Sequence, residues 1–437
     1  MTTYARRLGL FSGMMAVVGG IIGGGIFRTP ATVAERLRSP GLVLLAWVIG
    51  GVVALIGAFC FGELGQRRPR AGGGYVYLRE TFGPLPAFLY GWTLVFVIAT
   101  GAIAAVAVTF ADYTLALVGL PHRFPIPLAI ASIVLLSGVN YVGVRPAAIT
   151  QNIFTLLKLV ALALLIGAGL LLAVPSPPSH LAAPSPPPHL AALGPALVPI
   201  LFTYGGWQQT NFIAEEIVEP EKNLPRALVF GVSIVVTVYL LTNLAYLRVL
   251  GVQGLLASTA PAADTMRIVL GPIGGKLIAA GIAISTFGFL NLVILVTPRV
   301  LQAMAADGVF FEQLATLHPV YRTPALAIVV LALCAIVLTL TGTFGQLVDF
   351  VTFGDWIFFG LCAASLFIYR RRSAEASGTF RVPGYPYTVM LFVLAAAFVV
   401  YSSIASNPRN AAGGAGLIAL GVPAFLYWRR RGASART

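Results

Sequence analysis

Apolar stretches of about 20 residues recur along this chain, each long enough to cross a hydrocarbon layer of roughly 30 Å as a helix. That recurrence leaves few folds open. Backbone surrounded by lipid must satisfy its own hydrogen bonds, and a helix does so within one segment. With 58% hydrophobic and only 10% charged residues among 437, the chain has too little polar side chain to cover a soluble domain. The expected fold class is an all-α integral membrane protein with twelve spans, near 11–35, 41–63, 84–111, 125–144, 151–174, 193–214, 227–249, 274–298, 323–341, 345–369, 386–404 and 411–428. The first span follows Arg6 and Arg7 at full length and has no small-residue cleavage site, so it reads as a retained helix.

A net charge of +14 would point to nucleic acid in a soluble chain. Here most basic residues fall on one side of the predicted topology: Arg6 and Arg7, Arg67 to Arg70, Arg370 to Arg372, and Arg429 to Arg431. The positive-inside rule then places both termini in the cytoplasm and accounts for the charge without a nucleic-acid partner. Cys60, Cys334 and Cys362 lie inside apolar spans, and His122, His180, His189 and His318 are scattered, so no metal site and no cofactor is expected. His180 and His189 are copies of each other. PSPPSHLAA at 175–183 recurs as PSPPPHLAA at 184–192, an uncharged, polyproline-like linker predicted to lie outside.

The first span carries Gly19-Gly20-Ile21-Ile22-Gly23-Gly24-Gly25 at mid-depth. Glycine costs a helix about 1 kcal/mol relative to alanine, and a cluster of glycines is either a break or a packing face for a neighbour. The sixth span decides between them. It places Gly205-Gly206 at a similar depth, between Tyr204 and Trp207. Spans 1 and 6 each open a block of five, and matched interruptions of this kind point to inverted repeats around a substrate site. Residues 1–174 are expected to form the first repeat, 175–192 the Pro-rich loop, 193–370 the second repeat, and 371–437 two added helices with a basic tail. An unwound turn frees N–H groups at a half-helix N-terminus for a carboxylate. It also frees carbonyls for an ammonium, so the pair suits an α-amino acid.

GIIGGGIF at 20–27 and FTYGGWQQTNFIAEEIVEPEKNLPRAL at 202–228 resemble the amino acid–polyamine–organocation superfamily, in particular bacterial relatives of the L-type amino acid transporters. TPRVLQAMAADGVFFEQLATLHPVYRTP at 297–324 and FRVPGYP at 380–386 extend the resemblance over nearly the whole chain. It implies that the N–H groups of Gly24 and Gly25 hold the substrate carboxylate. Carbonyls of Ile21, Phe202, Thr203 and Gly205 would take the amino group, with Phe202 also as an aromatic lid. Many relatives have serine where this chain has Gly24. The resemblance further matches Lys158 to a lysine whose ammonium replaces the sodium of sodium-coupled relatives, with partners at the Gly19 and Ile22 carbonyls and at Ser285 or Thr286. Sodium independence follows. Whether Lys158 also carries a proton stays open, and snorkelling to the inner surface is its bland alternative.

Arg28 follows the first break, and Asp355 stands in span 10 at a position that lines the pocket in some relatives. Three readings are open: Arg28 pairs with Asp355 or Asp349 as an outer gate, Asp355 faces the substrate and selects cationic side chains, or each charge meets water. Glu215, Glu216, Glu219 and Glu221, with Lys222 and Arg226, read as an inner loop and surface helix with local ion pairs. Trp207 reads equally as lining the site or as packing.

The expected function is secondary-active, sodium-independent amino acid transport by alternating access, as exchanger or proton-linked carrier, in a bacterial inner membrane. Polyamine or amine carriage is the alternative within the fold, and a nutrient sensor on a transporter scaffold is the alternative outside it. No converging acid, base and nucleophile suggests an enzyme, and no ring of polar groups suggests a channel. Eukaryotic L-type proteins join a heavy subunit through a cysteine in the loop after span 3. Here Gly119-Leu120-Pro121-His122-Arg123 has none, so no disulfide-linked heavy subunit is expected.

Overall fold

Proline opens many of the helices, because its missing N–H costs nothing in a first turn and its fixed φ starts the spiral. The computed structural model describes residues 3–120, 124–172, 192–342, 344–372 and 380–434. The Pro-rich duplication, with His180 and His189, and the positions of His122 and Arg123 fall outside them. No strand occurs among the described residues; a single isolated bridge pairs Leu8 with Ile217.

The chain begins with α1 (Leu10–Ile21) and α2 (Gly25–Leu37), which meet at 44° across the glycine-rich break. Next come α3 (Pro40–Arg67), α4 (Gly74–Phe82), α5 (Pro84–Thr93) and α6 (Thr100–Val118), the last two joined by a π-helical turn at Leu94–Ala99. They are followed by α7 (Pro125–Val142) and by α8 (Val144–Gly167), which runs into a second π-helical turn. The second break separates α9 (Leu193–Thr203) from a 3-10 helix at Trp207–Glu216. Beyond it lie α10 (Pro220–Val249), α11 (Gly251–Ala257), α12 (Pro261–Ala306, kinked at Gly271), α13 (Ala325–Thr341) and α14 (Phe344–Arg372). The chain closes with α15 (Tyr387–Ser406), α16 (Pro408–Ala419) and α17 (Gly421–Ser434).

Among the described residues, 8 helices are long and apolar enough to cross a bilayer, and the bent α1–α2 pair makes up to 9. The other expected spans hold α9 with its 3-10 continuation, the 17-residue α13, and α14. The break shortens α9 to 11 residues and α13 has 17, each below the length that spans by itself, whereas α14 runs unbroken for 29. The short helices α4 and α11 were not anticipated, because neither carries an apolar stretch of spanning length. Outward faces of α7, α8 and α13 expose Val134, Leu135, Leu156, Leu164, Leu333 and Val337, an apolar surface suited to lipid and far too extensive for water.

Packing sorts the helices into two groups. In one, α10 runs along α3 and α1, and α2 leans on α9. In the other, α12 lies against α6, α7 and α8. The breaks meet inside. A Cβ on Gly20 would stand 2.9 Å from the Gly206 carbonyl oxygen, and one on Gly206 would overlap the Gly20 carbonyl. Gly206 also has φ of 109°, a conformation that L side chains rarely adopt.

Gly206→Ala should therefore lower the thermal unfolding midpoint in detergent, with backbone strain alone costing on the order of 1–3 kcal/mol. Gly167→Ala, where an added Cβ meets nothing within 4 Å, should leave it in place.

Candidate functional site

The first helix stops where Ile22 turns to extended backbone, at φ −76° and ψ 90°, and restarts at Gly25. The N–H groups of Gly24 and Gly25 find no acceptor among the described residues. They lie at the N-terminus of α2, where unpaired donors and the helix dipole favour an anionic group. Gly24 is exposed, with nothing within 4 Å of an added Cβ. Gly25 is closely covered, since a Cβ there would come within 2.9 Å of the Thr203 hydroxyl. That hydroxyl lies 2.8 Å from the Thr29 hydroxyl and donates to the Pro199 carbonyl at 2.8 Å.

Across the gap, α9 ends at Thr203. The Ile21 carbonyl accepts from the Tyr239 hydroxyl at 3.0 Å, and the same hydroxyl reaches the Thr203 carbonyl at 3.4 Å. Tyr239 thus holds the two breaks together. The Phe202 carbonyl accepts from Gly205 N–H at 3.0 Å, while the Gly205 carbonyl has no donor among the described residues. A carbonyl has two acceptor lone pairs, so this end can take a cationic group. Phe202 is 43% exposed. Trp207 is buried beside Phe61, Phe359 and Phe392, which makes it a packing residue.

Lys158 is fully buried on α8, so it does not snorkel. Its Nζ donates to the Ile22 carbonyl at 2.8 Å and to the Gly19 carbonyl at 3.2 Å. Ser285 donates to the same Ile22 carbonyl at 3.2 Å. Thr286 does not join them. Its hydroxyl donates back to Ile282 and Ala283 of its own helix, as a mid-helix threonine readily does. One α8 face bears Gln151, Thr155 and Lys158, and Gly19 has room only for a hydrogen against Gln151. The carbonyls left open by the break are thus partly satisfied by a side chain from another helix.

Arg28 is exposed and makes no ion pair with Asp355, and neither residue has another salt bridge among the described residues. Of the three open readings, pairing of Arg28 with Asp355 is absent from this conformation, in which Arg28 is exposed and Asp355 half-buried. The side chain of Asp349 lies outside those described.

The side carrying the N-terminus is closed. Arg299 of α12 is fully buried and forms a two-pronged ion pair with Glu216, at 2.8 and 3.4 Å. Nearby, Asp307 accepts from Tyr75 at 2.9 Å and pairs with Arg79 at 2.6 Å, and burial holds its carboxyl above the ordinary value. Glu63 receives both Arg67 and Arg370, and Glu80 pairs with Arg68 at 2.5 Å. The acidic stretch after the second break is thus corrected in one respect: Lys222–Glu219 is local, but Glu216 pairs 83 positions away. Sequence reasoning did not single out Arg299. The available signal was an arginine directly behind a long apolar span.

Gly25→Ala should disable ligand binding by pushing into Thr203. Gly24→Ala should fold normally and weaken binding less; equilibrium binding and size-exclusion profiles of the two purified variants separate these outcomes. Tyr239→Phe removes the hydroxyl shared by the two breaks and should weaken binding by about 1 kcal/mol or more, roughly fivefold in affinity.

The amino acid permease family model matches residues 8–426 of this chain. Mouse large neutral amino acids transporter small subunit 2 is 33% identical, across 98% of this chain and 82% of its own length. Human b(0,+)-type amino acid transporter 1 is 33% identical, across 93% and 84%. Human Asc-type amino acid transporter 1 is also 33% identical, across 98% and 83%. With its apolar helices and paired breaks, the chain is a multi-pass membrane protein that belongs to the amino acid permease family, a branch of the amino acid–polyamine–organocation superfamily whose members are transporters and not enzymes.

Proposed function

We propose that this protein is a sodium-independent amino acid carrier that works by alternating access, as an exchanger or a proton-linked carrier. The observation that carries the reading is the meeting of two interrupted helices. It sets unpaired N–H donors at Gly24 and Gly25 across from an unpaired carbonyl at Gly205. A zwitterion with its carboxylate and ammonium on one carbon answers both. Ile21, Thr203 and Phe202 shape the gap, and Phe202 is the lid, swung away in this conformation.

Sodium independence is supported by Lys158, whose Nζ occupies the space between the Gly19 and Ile22 carbonyls and leaves little room for a metal cation. We read the chain as twelve spans, with 1–174 and 193–370 as inverted repeats and both termini in the cytoplasm of a bacterium. The conformation is then outward-open: Gly24, Arg28 and Phe202 are exposed, while Glu216 and Arg299 are sealed on the terminal side. Arg28 and Asp355 would meet as the outer side closes. Relatives named as small subunits belong to larger assemblies. Residues 119–123 here hold no cysteine, so we expect no disulfide-linked subunit at that loop.

Polyamine carriage is the weaker reading, since a substrate without a carboxylate leaves the Gly24 and Gly25 donors unpaired. The deciding experiment is uptake of labelled amino acids and amines into proteoliposomes, varying internal substrate, sodium and pH gradient. Amino acid uptake that ignores sodium and needs either internal substrate or a pH gradient is the expected result. Uptake of amines alone, or strict sodium dependence, would sink the proposal. Arg28→Asp and Asp355→Arg should each cut uptake at least tenfold, and the double exchange should recover part of it; no recovery would remove the outer pair.

A further inference from the structure

A cavity of about 320 Å³ opens between the end of α7 and the start of α13, far from the two breaks in sequence and in packing. Its wall is the loop that joins α12 to α13, folded around His318. The His318 N–H donates to the Thr323 carbonyl at 2.8 Å, and the His318 carbonyl accepts from Arg322 N–H at 2.9 Å. The ring nitrogen Nδ1 accepts from the N–H groups of Val320 and Tyr321 at 3.3 and 3.2 Å. Thr323 fastens the loop to α7 by donating to the Tyr141 carbonyl at 2.8 Å. The His318 ring stacks on Tyr321 at 4.6 Å, and Tyr141 meets both rings edge-on.

This wall offers donors. A neutral imidazole whose Nδ1 accepts carries its proton on Nε2. Neither that nitrogen nor the Tyr141 hydroxyl has a partner among the described residues. Arg322 is exposed, held in the left-handed region at φ 56°, and makes no ion pair among them either. No acidic residue is among those that line the cavity. The opposite wall is apolar. Leu326 and Val329 line it, and Leu333 and Val337 continue the same exposed stripe along α13 at helical spacing.

We propose that this cavity seats an anionic membrane phospholipid, with its phosphate on Arg322, His318 and Tyr141 and an acyl chain along Leu326, Val329, Leu333 and Val337. The ends of two spanning segments set the donors at the edge of the apolar layer, where headgroups lie. Guanidinium and phosphate form strong charge-assisted bonds. A zwitterionic headgroup would bring a second charge, positive, for which the lining has no carboxylate. Aromatic side chains are common at this depth, but a belt residue needs no folded loop. Here two backbone N–H groups are committed to one nitrogen of His318, which leaves the other to donate. The inference requires only that the chain spans a membrane, and stands apart from what the chain carries.

The test is native mass spectrometry of the full chain in neutral detergent, titrated with phosphatidylglycerol or phosphatidylcholine of matched acyl chains. Phosphatidylglycerol should bind about fivefold tighter or more. Arg322→Asn keeps a residue that tolerates positive φ and should weaken that binding about fivefold. Tyr141→Phe should weaken it roughly threefold. Arg226→Gln, which removes an exposed arginine from the start of α10, should leave it within about twofold. Equal binding of the two lipids, no effect of Arg322→Asn, or an equal loss with Arg226→Gln overturns the proposal. Glycerol phosphate, which has the phosphate and no acyl chain, should not displace the lipid at equal concentration; displacement assigns the donors to a soluble phosphate and overturns it too. If Arg322→Asn does not fold, a diazirine-bearing phosphatidylglycerol on the parent chain decides. Adducts at Tyr141 or within 316–329 are expected, and adducts only elsewhere overturn the site.

Discussion

The contact between the backbones of Gly20 and Gly206 is the constraint on which the rest of this structure depends. Two helices can approach so closely only where neither has a side chain in the way. Beside that contact each helix stops, α1 at Ile21 and α9 at Thr203, and its regular hydrogen bonding ends. A membrane interior offers no water to replace those bonds, so partners must come from the protein. Lys158, Ser285 and Tyr239 supply some of them from three other helices. The polar groups they leave unpaired are those that face the open gap.

Charge is distributed by the same logic. Within the apolar layer, Lys158 is surrounded by carbonyl acceptors and not by a counter-ion. On the terminal side, by contrast, Glu63, Glu80, Glu216 and Asp307 each meet an arginine. The buried pairs, Glu216 with Arg299 and Glu63 with Arg67, add little net stability, because desolvation offsets their attraction, and the partly exposed ones add little because water screens them.

Much of the fold was legible in the chain itself. The length and spacing of the apolar stretches established the membrane class, and the glycines at 23–25 and 205–206 marked where helices stop. A glycine's effect on helix stability is local, so it can be read locally. Lys158 was also visible as a residue that needs partners, because a charge at mid-depth must find them. Other residues resisted this reading. Thr286 and Ser285 are neighbours on one helix, yet only Ser285 points at the break, and one helical step of rotation decides that. Glu216 looked like any other acid in a loop of acids.

The sequence by itself determined where helices run, where two of them break, and to which family the chain belongs, since hydropathy, glycine clustering and motif content are carried residue by residue. Tertiary structure alone decided which partners meet. The Arg299–Glu216 pair, the Leu8–Ile217 bridge and the separation of Arg28 from Asp355 depend on how the helices are rotated and packed. The physical reason is distance along the chain: these contacts join segments far apart in sequence, and packing sets their geometry.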